Sequence, residues 1–488
     1  MLKKDYFFFI RIQFSILAII INSIKFIIMK KVLLSLGLVA LSLNSFAQYS
    51  WTPQATKLDN GNYPKEIFAV DANTVWVTVG DGISTDGTTY PKTFSKTTNG
   101  GTTWTPGSIS GPPANALVGD ITALDANTAW VVTAPSANPA GSANGIWKTT
   151  NGGTTWARQG TTAAPYSSAS FANLIYFWDA NEGFTAGDPV GTSFQIFKTT
   201  NGGTTWTAVS GLPAPLSATE YGLTGVKYVR GNSVWWGTTR GRILRSADRG
   251  TTWAVSQSPA LDFGSGDATA GVVGSSAQMA FKDSNNGLLI AVDNDIEAVL
   301  YATDDAGATW DPLEATGTWF YGGISYVPGT DNTYVTTGAD SDAAQGTGSS
   351  YSRDGGLTWT IIDNIPGVDG GQRGAVEFVN STTGWAGFFA DTAQTEGIFK
   401  FSGNLSLAVN EASAKSNLKV YPNPAVDVVN ITANKDIKSV TIYDLSGKKV
   451  KSSTDAATIN VSSLAKGTYI VQAYYGNGSV ENTKLIKK

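Results

Sequence analysis

One nine-residue string, Lys-Thr-Thr-Asn-Gly-Gly-Thr-Thr-Trp, occurs three times without change, at residues 96–104, 148–156 and 198–206. Looser copies end on Trp253, Trp310 and Trp359. The six tryptophans are 52, 50, 47, 57 and 49 residues apart, a period that suits one four-stranded blade of a ring of blades. Before each box stands a second repeat, as in Ile-Phe-Ala-Val-Asp-Ala-Asn-Thr-Val-Trp at residues 67–76. It returns near residues 121, 175, 226, 279, 324 and 376, each time as an apolar strand, an Asp/Asn/Gly turn and a second strand.

Seven hairpins therefore accompany only six boxes. After the seventh hairpin, residues 397–403 repeat the third strand of a blade and stop short of a tryptophan strand. Trp51-Thr52-Pro53 matches Trp104-Thr105-Pro106 and can supply what is missing. The expected fold is all-β: a seven-bladed β-propeller over residues 48–402, closed by its N-terminal strand, which removes the exposed edges that an open repeat array would leave. Fifty-four glycines and fifteen tryptophans agree with short strands and tight turns.

The box reads Ser/Thr-x-Asp-x-Gly-x-Thr-Trp, with Asp248, Asp305 and Asp354 in the later copies and Asn99, Asn151 and Asn201 in the first three. Asp or Asn is expected to cap its own turn, glycine to take positive φ, and Trp104, Trp156, Trp206, Trp253, Trp310 and Trp359 to pack between sheets. The role is structural. Each box offers one acid, too few oxygen ligands for calcium, so no metal is expected. These boxes resemble the Asp-box (BNR) repeat of sialidase-like, sortilin-like and photosystem II assembly factor-like propellers.

The chain contains no histidine and no cysteine, which excludes Ser-His-Asp and Cys-His catalysis, Cys/His zinc sites and disulfides. No cofactor is expected. Residues 48–410 carry 17 Lys and Arg against 31 Asp and Glu, whereas residues 411–488 carry 11 lysines against 6 acids. The acidic body argues against nucleic acid as a partner. Residues 29–47 place two lysines before a short apolar run and a small-residue cleavage site, which reads as a signal peptide. That run is too short to span a membrane, so the mature protein is expected not to do so. Residues 1–28 read as an over-extended start.

Residues 403–417 read as a linker, and residues 418–488 as a small β-sandwich of about seven short strands. Its Leu-Lys-Val-Tyr-Pro-Asn-Pro, Ser-Val-Thr-Ile-Tyr-Asp-Leu-Ser-Gly-Lys-Lys-Val and Lys-Gly-Thr-Tyr-Ile-Val-Gln segments closely resemble the C-terminal sorting domain of cargo of the type IX, or Por, secretion system of Bacteroidetes. The resemblance implies export through the periplasm to the outer-membrane surface or the medium, with the secretion machinery as a partner of the tail.

In propellers of the resembled families, ligands sit in the central funnel, near the loop that enters each innermost strand. The hairpin register places Tyr63, Glu66, Asp120, Phe171, Glu220, Tyr221, Trp319, Phe320, Tyr321 and Arg373 there. Aromatic faces beside fixed polar groups suit a glycan or a protein ligand; the other reading is that the aromatics plug the channel. Glu66 and Asp120 hold equivalent positions on adjacent blades, the arrangement a glycoside hydrolase needs for its carboxylate pair. A binding or adhesion module is the leading expectation and a polysaccharide-active hydrolase the alternative. No motif of the sialidase arginine triad is present.

Overall fold

Four of the hairpin turns are closed by their own aspartate. Asp71 Oδ1 accepts the N–H groups of Asn73 and Thr74 at 2.7 and 2.8 Å, and Asp125, Asp179 and Asp283 repeat the pattern. Each box turn is built by a pair of side chains. The Thr97 hydroxyl accepts the Gly101 N–H at 2.8 Å, and Asn99 Oδ1 accepts the Thr103 N–H at 2.9 Å. Ser246 and Asp248 do the same in the fourth blade. Gly100 and Gly101 sit at φ +67° and +85°, a region that favours a residue without Cβ. These local bonds satisfy backbone groups before any long-range contact is made.

The computed structural model describes residues 49–488 apart from 82–89, 136–144, 161–164, 167–169, 266–273, 294–296, 340–346, 365–371, 407–417, 434–435, 445–447, 455–457 and 477–479. The expected over-extended start, the signal peptide and most of the linker lie outside the described residues. The chain divides into two compact units between Ser406 and Leu407. Residues 403–406 go with the first unit, since Leu405 is buried in its core.

Among the described residues, the first unit contains seven four-stranded antiparallel sheets. Their inner strands are Asn62–Ala69, Ala116–Ala123, Ala172–Phe177, Gly222–Arg230, Ser276–Phe281, Gly323–Tyr326 and Val376–Asn380. Each packs on the next, and the last returns to the first, which makes a propeller. Six blades are consecutive in sequence. The seventh takes its outer strand, Ser50–Ala55, from the N-terminus, pairing Trp51 with Phe401 and Pro53 with Phe399.

Apolar slabs lie between successive blades. The hairpin tryptophans Trp76, Trp130, Trp235 and Trp385 are fully buried in them, and Trp130 and Trp235 stack on Phe177 and Phe281 at 3.9 and 3.7 Å. Box tryptophans Trp104, Trp156, Trp253 and Trp359 are buried too, while Trp206 and Trp310 are half-buried. A basic side chain ahead of several boxes stitches neighbouring blades: Lys96 donates to the carbonyls of Ala126 and Gly152, and Lys400 to that of Gly100.

The second unit is a β-sandwich of a three-stranded and a four-stranded sheet over a core that includes Val429, Val440, Ile442, Val471 and Leu485. Among the described residues no helix is long and apolar enough to cross a membrane.

Closure also has a polar component. The Trp51 indole donates to Ser349 Oγ at 2.7 Å, Ser349 donates to Asp363 at 2.5 Å, and Asp363 pairs with Arg373 at 2.7 Å. Arg373 in turn lies over the Phe399 ring at 4.4 Å. Replacing Trp51 with Ala removes a buried ring and this bond together, and should destabilise the propeller by about 3–5 kcal/mol. Chemical denaturation of Trp51→Ala reads this directly, and an unchanged midpoint contradicts the role assigned to the closing strand.

Candidate functional site

The inner edge of every blade faces the axis with backbone groups that its own sheet does not pair. Side chains from neighbouring blades take several of them. Glu377 Oε2 accepts the Ala69 N–H at 2.9 Å, Asp120 Oδ2 accepts the Ile175 N–H at 2.9 Å, and Ser325 Oγ accepts the Phe378 N–H at 3.2 Å. The axis is therefore polar by construction.

A cavity of about 300 Å³ lies on this axis, bordered by Glu66, Phe68, Tyr176, Lys227, Tyr228 and Glu377, with Arg230 and Gln278 also in its wall. Asp120 is fully buried behind it. Besides Ile175, it accepts the Ile121 N–H at 2.8 Å and pairs with the Lys227 ammonium. Glu66 differs. Among the described residues it makes no hydrogen bond or ion pair, and its carboxyl reaches across to Gly225 on the fourth blade. A methyl group on Gly225 would fall 1.7 Å from Glu66 Oε1 and displace the carboxyl, and Gly225 also sits at φ +75°, a region that favours glycine.

Protein surrounds Glu66, which is half-buried where it borders the cavity. Burial pushes its pKa up to about 8; the Asp120 carboxylate adds to the rise, and Lys227 and Lys65 oppose it. Glu377 is pushed up to about 7 by burial, against the Ala69 N–H and Lys227. Burial holds the Lys65 ammonium below its ordinary value, with Glu66 and Asp120 opposing.

The remaining candidates are spread over the propeller. Tyr63 borders a separate depression of about 210 Å³ with Pro64, Gln372, Phe388 and Phe389, its ring 5.3 Å from that of Phe389. Phe171 is half-buried against the core between the second and third blades. Glu220 is fully buried, bonded by Arg242 at 2.5 and 2.9 Å and by Thr238 at 2.8 Å. Tyr221, next to it, is exposed. Trp319 and Phe320 are buried, Trp319 within the slab between the fifth and sixth blades, and Tyr321 packs half-buried on that slab. Arg373 is the buried partner of Asp363. Of the ten, the structure brings only Glu66 and Asp120 together at the axis.

Lys227, Glu377, Tyr176, Tyr228 and Arg230 were not indicated by the loop register. A signal for the first two was present in the repeat. The second position of the hairpin repeat reads Phe68, Thr122, Tyr176, Lys227, Ala280, Ser325 and Glu377, so two charges interrupt an otherwise uncharged column. Five of these seven residues border the cavity. Among the described residues, no cluster of three or more acids, histidines or cysteines is arranged to hold a metal.

The raised pKa values of Glu66 and Glu377 make stability depend on pH. A carboxyl whose folded pKa is raised favours the folded state fully below its unfolded value of 4.5, and that contribution is lost as pH rises through the folded value. The melting temperature should fall between about pH 5 and pH 8–9, and Glu66→Gln should flatten the fall. Glu377, and Asp188, which accepts from Asn173 at 2.8 Å and from the Gly222 N–H at 3.1 Å, are both raised to about 7 by burial and retain part of the slope. A slope identical in the variant would show that Glu66 is not desolvated as described.

Residues 419–488 match the secretion system C-terminal sorting domain. The chain thus carries a tail for export by type IX secretion, to the cell surface or the medium. No curated protein matches the chain. Among solved structures, YCF48 from Cyanidioschyzon merolae is 16% identical with a TM-score of 0.48, over 73% of this chain and 98% of that one. An ancestral GH74 enzyme is 15% identical with a TM-score of 0.41, over 89% of this chain and 63% of that one. The Trypanosoma rangeli sialidase is 11% identical with a TM-score of 0.40, over 90% of this chain and 89% of that one.

Proposed function

We propose that the chain is an exported binding or adhesion protein: a signal peptide at residues 29–47 is removed, the Asp-box propeller of residues 48–402 holds a glycan or protein ligand, and the tail of residues 418–488 engages the type IX machinery. The observation that carries the binding reading is the axial cavity, where aromatic rings and the partnerless Glu66 carboxyl converge. The site needs no cofactor for this role.

The engagement of Asp120 favours binding over hydrolysis. A glycosidase needs one carboxyl to donate a proton and a second to act as base or nucleophile. Glu66, with its pKa near 8, has the character of the acid. Asp120 has its oxygens held by two backbone N–H groups and Lys227, away from any space a sugar can enter. Tyr63 and the exposed Tyr221 offer additional contact surface away from the axis.

Two measurements test the proposal. The full chain applied to glycan and peptide arrays should retain a ligand without altering it, and release of reducing ends from a bound polysaccharide would transfer the site to the hydrolase class. Truncation after Ser406 should leave the propeller folded and accumulated in the periplasm. Normal surface or medium levels of the truncated chain would remove the tail's assigned role.

A further inference from the structure

The axial cavity has an imbalance of partners rather than of charge. Three of the cations near it are committed. Lys227 is paired with Asp120, and Lys65 points its ammonium to the Val118 carbonyl at 3.4 Å. Arg230 donates to the Lys282 carbonyl at 3.0 Å and lies over the Tyr326 ring at 5.0 Å. The acids are not matched to the same degree. Among the described residues Glu66 makes no hydrogen bond or ion pair, and Glu377 accepts one hydrogen bond, from Ala69. Phe68 and Tyr176, whose rings are 6.1 Å apart, border the cavity with them, as does Tyr228.

Resting on the binding reading above, we propose that this cavity captures a lysine or arginine side chain of a basic polypeptide, with the cation against Glu66 and Glu377 and the aromatic rings beside it. Carboxylates and ring faces together are what an ammonium or guanidinium group requires once it leaves water. The size of the cavity selects the form of the ligand. About 300 Å³ is at the lower end of ligand pockets, enough for one long side chain and too small for a run of sugar rings. Among the described residues no three acids are arranged to hold a metal ion, and Asp120 is already paired with Lys227, which favours an organic cation as the occupant. The acidic propeller, with 31 acids against 17 basic residues over 48–410, attracts a basic chain at long range.

Capture releases a proton. At neutral pH the Glu66 carboxyl gives its proton to solvent, and the resulting carboxylate pairs with the incoming cation. The groups facing Glu66 are Asp120 from the second blade, Lys227 and Gly225 from the fourth, Glu377 from the seventh and its neighbour Lys65. Asp120 and Lys227 are already paired with each other, so the change falls on Glu66 and Glu377.

The test is calorimetry of the full chain with a ten-residue peptide of alternating lysine and glycine, its fully Nε-acetylated counterpart and a glucosamine tetramer. The lysine peptide should bind, the acetylated peptide should not, and affinity should rise from pH 6.5 to 8.5 with protons released near pH 7. Glu66→Gln should weaken binding by about tenfold or more, the scale of one charged hydrogen bond. Glu377→Gln, read alongside by its melting curve, provides a second variant if Glu66→Gln folds poorly. Equal binding of the lysine peptide to both folded variants would mean adsorption to the acidic surface and overturn the proposal. Binding of the glucosamine tetramer in preference to the peptide overturns the polypeptide assignment. An uncharged ligand bound with indifference to Glu66 overturns the cation site while leaving the binding reading intact; failure of every array ligand and both probes removes both.

Discussion

The pairing of Ser50–Ala55 with Gly397–Ser402 is the contact on which the rest of the propeller depends. Without it the seventh blade would expose an unpaired edge, and the slab holding Trp51, Phe378, Phe399 and Phe401 would lose its outer side. A ring of blades is held by contacts between neighbours, so one open joint weakens all of them by removing the constraint that keeps the slabs in register. The fold guards this joint with both kinds of interaction. Trp51 contributes an apolar ring, and its indole N–H begins the polar chain through Ser349 and Asp363 to Arg373.

Closure also creates the axis. Seven inner edges brought round a common centre must have their outward N–H groups satisfied there, and the acids Asp120 and Glu377 serve that need between blades. Lys227 then neutralises Asp120 from the fourth blade, across the channel from the second. Glu66 is the carboxyl that this scheme does not use. A group that costs folding energy to ionise and completes no structural bond is the feature of the axis that points to a ligand.

The architecture was readable because its determinants are local. The Asn99 and Asp248 turns, the glycines of the box and the hairpin aspartates act within a few residues of themselves, so they appear as strings. Even closure left a local trace, in the match of Trp51-Thr52-Pro53 to Trp104-Thr105-Pro106. The site was less readable because its contacts join distant residues. Lys227 meets Asp120 from 107 positions away and Glu377 meets Ala69 from 308. Loop register singled out Glu220, Trp319 and Arg373 as funnel residues; the structure places their side chains in buried ion pairs and slabs. The useful signal was the pair of charges in an uncharged strand column, which only acquires meaning once the seven strands share one axis.

Amide hydrogen exchange of the native full chain tests the central claim, that a closed ring builds the axis, most directly. The amides of Ser50–Ala55 that bond to Gly397–Ser402 should exchange no faster than the ladder amides of Gly397–Ser402 and the inner strand Val376–Asn380, because all three open only when the ring does. Early exchange of Ser50–Ala55 with the inner strands still protected would contradict it, and would show that the channel and its carboxyls stand without the closing strand.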